Sequence, residues 1–236
     1  PIGSFFFSGA QMTAMTFVNL ASRLRQEVGG SGTGPTAVTG QTGEYKRFVD
    51  WIITADEDVQ RIHNEWLFMR KGFTVNTVAG TVAYAFGACT DTSTSAVITL
   101  FRDWCKDKFK IYLQSAGVGG EVELTYLDYD SWYSLYGIGT QSSSMPIHFT
   151  IKPDRTIALG PTPNAVYVVS GEYQRAVASL AANGDYPIYP AEYHLLAVYR
   201  AMMDHGAYVG GPEVEVRGRR KYNQMLLQME MTQLPE

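Results

Sequence analysis

Gly43-Glu44-Tyr45-Lys46-Arg47-Phe48-Val49-Asp50-Trp51-Ile52 opens the longest helical pattern in the chain. Its apolar residues Tyr45, Phe48, Val49 and Ile52 are continued by Val59, Ile62, Trp66 and Met69 at spacings that keep them on one helical face. Thr42 stands at the N-cap, and Glu44 puts a negative charge in the first turn, where it suits the helix dipole. Arg70 and Lys71 match a last turn and Gly72 a stop, so the spacing predicts one helix over Gly43 to Lys71.

Downstream the pattern changes. From Phe73 to about Ala176 the chain is rich in Thr, Val, Tyr and Gly, and its apolar residues alternate. Glu121-Val122-Glu123-Leu124-Thr125-Tyr126 turns Val122, Leu124 and Tyr126 to one face, and Ile147, Phe149 and Ile151 repeat the pattern. Lys152-Pro153-Asp154-Arg155 reads as a turn before Ile157 and Leu159. Gly160-Pro161-Thr162-Pro163-Asn164 reads as another, before a strand through Val166 to Tyr173. Short strands separated by turns predict an antiparallel sheet or small barrel, with no βαβ unit.

Helical spacing also appears at both ends. Phe17, Leu20, Ala21, Leu24 and Val28 predict a helix from about Thr16 to Val28, closed by the loop Gly29-Gly30-Ser31-Gly32-Thr33-Gly34-Pro35. Pro190 suits a first helical position, ahead of Leu195, Leu196, Tyr199, Met202 and Met203. Gly211-Pro212 restarts the chain for a last stripe of Tyr222, Met225, Leu226 and Met229. The expected class is α+β, a helical bundle formed by N- and C-terminal helices with an inserted antiparallel β domain. The expected boundaries are 1–15 for an N-terminal extension, 16–72 with 186–236 for the helical core, and 73–185 for the β-rich insertion.

Composition bounds the function. A chain of 236 residues, 45% hydrophobic and 18% charged, can bury a core without disulfides or metal. A net charge of −4 argues against a dedicated DNA-binding module, which needs a dense basic face. Cys89 and Cys105 are expected to be reduced thiols. No apolar run approaches a membrane span of ~18 residues, and Pro1 to Phe7 lacks the basic n-region of a signal peptide. The 15 tyrosines fit either an assembling surface or a Tyr-rich β core.

Motifs for chemistry are missing. The Gly29 to Gly34 loop follows a helix and lacks the Gly-Lys-Ser/Thr of a phosphate cradle, so it reads as a linker. His63, His148, His194 and His205 are scattered and read as ordinary imidazoles rather than metal ligands. Asp56-Glu57-Asp58 reads as a solvated helix face, and Asp128-Tyr129-Asp130 lacks the glycine and final Glu of a calcium loop. No serine elbow or Cys/His pairing motif occurs, so no enzyme, cofactor or metal site is expected. Two clusters suggest contact with protein. Arg217, Arg219, Arg220 and Lys221 put four cations in five residues, which suits phosphate, an acidic protein surface, or solvent beside Glu213 and Glu215. Phe5, Phe6 and Phe7 are expected to dock against the core or a neighbouring subunit.

The order of these segments resembles the head-to-tail adaptor (head-tail connector) proteins of tailed phages. The likeness is carried by Phe17-Val18-Asn19-Leu20-Ala21, the Gly-rich loop, and the long helix from Phe48-Val49-Asp50-Trp51-Ile52 to Trp66-Leu67-Phe68-Met69. In the later half it is carried by Pro146-Ile147-His148-Phe149, Leu159-Gly160-Pro161-Thr162-Pro163, Gly171-Glu172-Tyr173 and Tyr186-Pro187-Ile188-Tyr189-Pro190. The segment before Met12 fits the pattern poorly. The resemblance implies a virion protein at the head-tail junction, made in the bacterial host cytoplasm. It implies a homo-oligomeric ring, a dodecamer in the family's common form, bound below the portal protein and in contact with tail or nozzle proteins. Genomic DNA would pass through the ring without sequence-specific binding, and no membrane is involved. The resemblance also places the final helix nearest the portal. The alternatives are another tail-completion or terminator protein, or a carbohydrate- or receptor-binding β module using Tyr126 to Tyr136, with exposed Trp132 and Tyr133 as the discriminating sign.

Overall fold

The computed structural model describes residues 13–235. In chain order these form α1 (Phe17–Glu27), α2 (Gly43–Arg61), β1 (Arg70–Asn76), β2 (Ala83–Tyr84), β3 (Thr90–Asp91), β4 (Phe101–Leu113), β5 (Val122–Glu123), β6 (Thr125–Tyr126) and α3 (Tyr129–Tyr136). They continue with β7 (Ser143–Ser144), β8 (His148–Ile151), β9 (Ile157–Gly160), β10 (Thr162–Pro163), β11 (Tyr167–Arg175), α4 (Leu195–Val209) and α5 (Pro212–Gln233). The fold is α+β, with helices toward both ends flanking a β region. It divides into two compact units. Residues up to Phe68 and from Val177 onward make one, and Met69–Ala176 the other.

In the helical unit α2 packs on α4, α4 on α5, and α1 on both α2 and α4. Thr16 caps α1, its hydroxyl accepting from the Asn19 amide, and Phe17, Leu20, Ala21 and Leu24 are buried. The helix predicted over Gly43 to Lys71 ends at Arg61 instead. The Trp66 indole N–H donates back to the Val59 carbonyl at 3.2 Å and caps the end of α2. Leu67–Met69 form a short 3-10 turn, and Arg70, Lys71 and Gly72 belong to β1. Trp66 and Met69 are both buried, as the helical spacing required, although neither lies in α2. Spacing reports which residues are buried; it does not require an unbroken helix to bury them. Thr42 is the N-cap of α2 by position, without a side-chain capping bond. Pro190 precedes a 3-10 turn, Ala191–Tyr193, so α4 starts later than expected.

In the β unit the main sheet has the order β3-β1-β11-β4-β5, and a second sheet the order β2-β9-β8-β6. The main pairings are antiparallel, while β6 with β8 and β7 with β10 are two-residue parallel contacts. Phe73, Trp104, Phe109, Phe149 and Tyr173 lie in one buried core, with the Phe109 and Phe149 rings stacked at 4.1 Å. The register of β4 on β11 slips between Cys105 and Lys110. Gly171 faces this bulge, where a Cβ would meet the Phe73 ring at 2.9 Å and the Lys108 carbonyl at 3.2 Å. The strand expected over Glu121 to Tyr126 is two short pieces, β5 and β6. The Leu124 amide between them bonds the Phe109 carbonyl, and Val122 is left exposed. The stretch Tyr126 to Tyr136 is largely helix. Asp128 caps α3 by accepting from the Ser131 amide at 3.0 Å, and Trp132 is turned inward and buried.

Candidate functional site

The basic run lies at the corner between α4 and α5. Gly210 ends α4 in the left-handed conformation (φ 69°), and Pro212 starts α5 in the first turn, followed by Glu213 and Glu215. Glycine lets the two helices approach closely. A Cβ on Gly206 would meet the Glu215 backbone at 2.7 Å, and one on Gly218 would meet the Tyr199 carbonyl and the Met202 Cβ at 2.9 Å. Gly218, buried in the middle of the cationic run, therefore fixes the side on which its neighbours emerge.

The four cations have different environments. Lys221 pairs with Glu27 at 3.2 Å and lies 5.0 Å from the centre of the Tyr199 ring. Arg217 donates to the Glu27 carbonyl, so its charge is bound but not neutralised. Arg219 pairs with Glu215 one turn before it. Arg220 is exposed and has no ion-pair partner among the described residues. With Pro212, Glu213, Val216 and Arg217 it lines a cleft of about 460 Å³, and Val216 is 65% exposed. Burial acts to raise the Glu27 pKa, but Lys221 and Arg23 together hold it below the usual carboxylate value. Glu27 thus binds α1 to α5 at a separation of 194 residues, which no local pattern could have revealed. Phe5, Phe6 and Phe7 lie outside the described residues.

Two other polar clusters could have housed chemistry. A cavity of about 280 Å³ in the β unit is lined by Lys71, Asp91, Tyr173 and Arg175, among others. Asp91 Oδ2 accepts from the Tyr173 hydroxyl at 2.7 Å, and Oδ1 accepts from the Ser93 amide and hydroxyl and the Thr94 amide. Burial opposes ionisation there, but these donors outweigh it and hold Asp91 at about 2. Its acceptors are occupied in holding its own turn, which makes it a structural anchor rather than a proton carrier.

The second cluster corrects the sequence reading. Asp56 is not part of a solvated face; it is buried at 1% exposure. It lies one turn from Ile52 and in phase with Phe48, a signal present in the spacing. Its neighbours diverge outward, Glu57 to Arg61 and Asp58 to Arg200. Gln60 Nε2 donates to Asp56 at 2.7 Å, and the Tyr189 hydroxyl lies close without reaching good hydrogen-bond geometry. Burial raises the Asp56 carboxyl to about 7, partly offset by Tyr189 and Gln60. His194, also buried, accepts from the Met15 amide at Nδ1 and meets the Tyr189 carbonyl through Nε2. Both contacts serve packing. Among the described residues no group of His, Cys, Asp and Glu is placed to hold a metal ion, and Cys89 and Cys105 are free thiols.

Residues 15–234 match the SU10 adaptor protein family. The chain belongs to that family. A search of curated proteins found no match. The SU10 adaptor proteins are phage head-tail adaptors, a structural class and not an enzyme class. The match includes α1 through α5 and every strand from β1 to β11, so it takes in the helical and the β unit alike. It includes the basic corner, and it begins after Phe5, Phe6 and Phe7.

Proposed function

We propose that this SU10 adaptor protein assembles into a homo-oligomeric ring below the portal and extends the DNA channel toward the tail. The observation that carries this reading is the family match over residues 15–234. Two features support it. Outside its inward stripe the final helix also exposes Val216, Leu227 and Met231, the last at 79%, which suits a helix covered by a partner. A net charge of −4 suits a channel wall, since DNA must slide past it and tight phosphate contacts would retain the genome. In this reading Arg217, Arg219, Arg220 and Lys221 serve contacts with protein, and the protein resides at the head-tail junction after synthesis in the host cytoplasm. Of the two rings that would mark a sugar-binding face, Tyr133 is exposed but Trp132 is buried, so they do not offer a paired stacking platform. Among the described residues no helix is long and apolar enough to cross a membrane.

A cryo-EM map of the virion tests the proposal. Ring density between portal and tail that accepts this α+β subunit is the expected result. Density at a tail tip would replace the adaptor position with a receptor-binding one, and density at the far end of the tube with a terminator.

A further inference from the structure

The cleft on α5 has apolar walls, Pro212 and Val216, and a rim of two guanidiniums against one carboxylate, Glu213. Such a surface suits an acidic segment that also presents apolar side chains. A phosphate backbone would gain nothing from the apolar walls and would be repelled by Glu213. The chain itself contains the complement. Residues 111–151 include no Lys or Arg, and carry four carboxylates, Glu121, Glu123, Asp128 and Asp130. Lys110 takes Glu121 at 3.1 Å and Asp128 caps α3, so Glu123 and Asp130 remain without an ion-pair partner among the described residues. Both are exposed, as are Val122, Tyr133 and Leu135.

We infer that the α5 cleft receives the acidic, apolar β5–α3 segment of a second copy of this chain. The two surfaces differ, which allows each copy to give one and receive the other, as neighbours in a ring do. Repeated head to tail, such a contact propagates until it closes as a ring or runs on as a filament. The inference rests on the proposed ring only in requiring copies side by side, and it names the surfaces they share.

Sedimentation velocity on the full chain tests it with R220E, with E123K/D130K and with the triple variant, each shown by circular dichroism to melt as the unaltered protein does. Each partial variant should weaken self-association by at least about tenfold through like-charge contact. R220Q should fall between, and the triple variant, with the charges exchanged, should recover association. Association unaffected by R220E, or lost in both partial variants and not recovered in the triple, would overturn the pairing. So would an unaltered protein that stays monomeric at every salt concentration, or an R220E variant whose only loss is a salt-steep affinity for duplex DNA. If the virion map shows the ring while these variants associate normally, the pairing fails and the adaptor position stands.

Discussion

At the scale of single residues, protonation separates two buried groups of the helical unit. The folded state holds the Asp56 proton up to about pH 7, whereas the unfolded chain releases it near the ordinary carboxylate value of 3.8. Stability from this group therefore falls as pH rises from about 4 to about 7 and is level above. His194 acts with the opposite sign. Burial lowers its pKa, and the bond from the Met15 amide needs an unprotonated Nδ1, so stability is lost as pH drops below the ordinary imidazole value of 6.5. Asp56→Asn keeps an acceptor for Gln60 and removes the charge. It should stabilise the protein at pH 8 by on the order of 4 kcal/mol, since each pKa unit is worth about 1.4 kcal/mol and the carboxyl is raised from 3.8 to about 7. Urea unfolding of the variant from pH 4 to 8 should then lack the fall that the Asp56 carboxyl imposes on the parent. A variant less stable than the parent at pH 8 would mean that the Asp56 carboxylate is solvated or paired after all.

Among the elements, helix contacts decide how much each substitution costs. Phe48 is fully buried, with its ring 5.9 Å from that of His205, on the face that joins α2 to α4. Phe48→Ala should lose about 3–5 kcal/mol in denaturant unfolding, because the cavity it leaves lies between two packed helices. At Gly218 two effects compete. Alanine gains about 1 kcal/mol over glycine in an exposed helix interior, but here the added methyl would meet the Tyr199 backbone carbonyl at 2.9 Å, and a carbonyl inside α4 cannot step aside. Overpacking should win, so Gly218→Ala should lower stability by about 1–3 kcal/mol. An unchanged or raised melting temperature would show that α4 and α5 have room to separate.

For the whole molecule, the β unit has the marks of an independent folding unit. Its buried core, from Phe73 to Tyr173, lies within Met69–Ala176, and the Arg70↔Gln174 pairing holds its two ends side by side. Residues 69–176 expressed alone should give a strand-rich circular dichroism spectrum and a single cooperative melt. A broad, featureless melt would show that the sheet needs the helices to fold.

The α+β class was legible from local periodicity alone, because a helix and a strand each bury one face and their side chains repeat at different intervals. Thr16 to Val28 shows this for α1, and Ile147 to Leu159 for the β8–β9 hairpin. The burial of Asp56 was legible too, since it lies in phase with Phe48 and Ile52, although its charge suggested solvent. Other features depend on where distant segments meet. The end of α2 at Arg61 follows from Trp66 folding back onto Val59, and two short parallel pairings follow from sheet topology. Glu27 finds Lys221, and Gly218 faces Tyr199, only after α1, α4 and α5 have packed. The sequence by itself determined which faces must be buried, because that depends on residue type and spacing. Only the tertiary structure decided which faces meet and which cations remain free, because those contacts join residues that no local pattern relates.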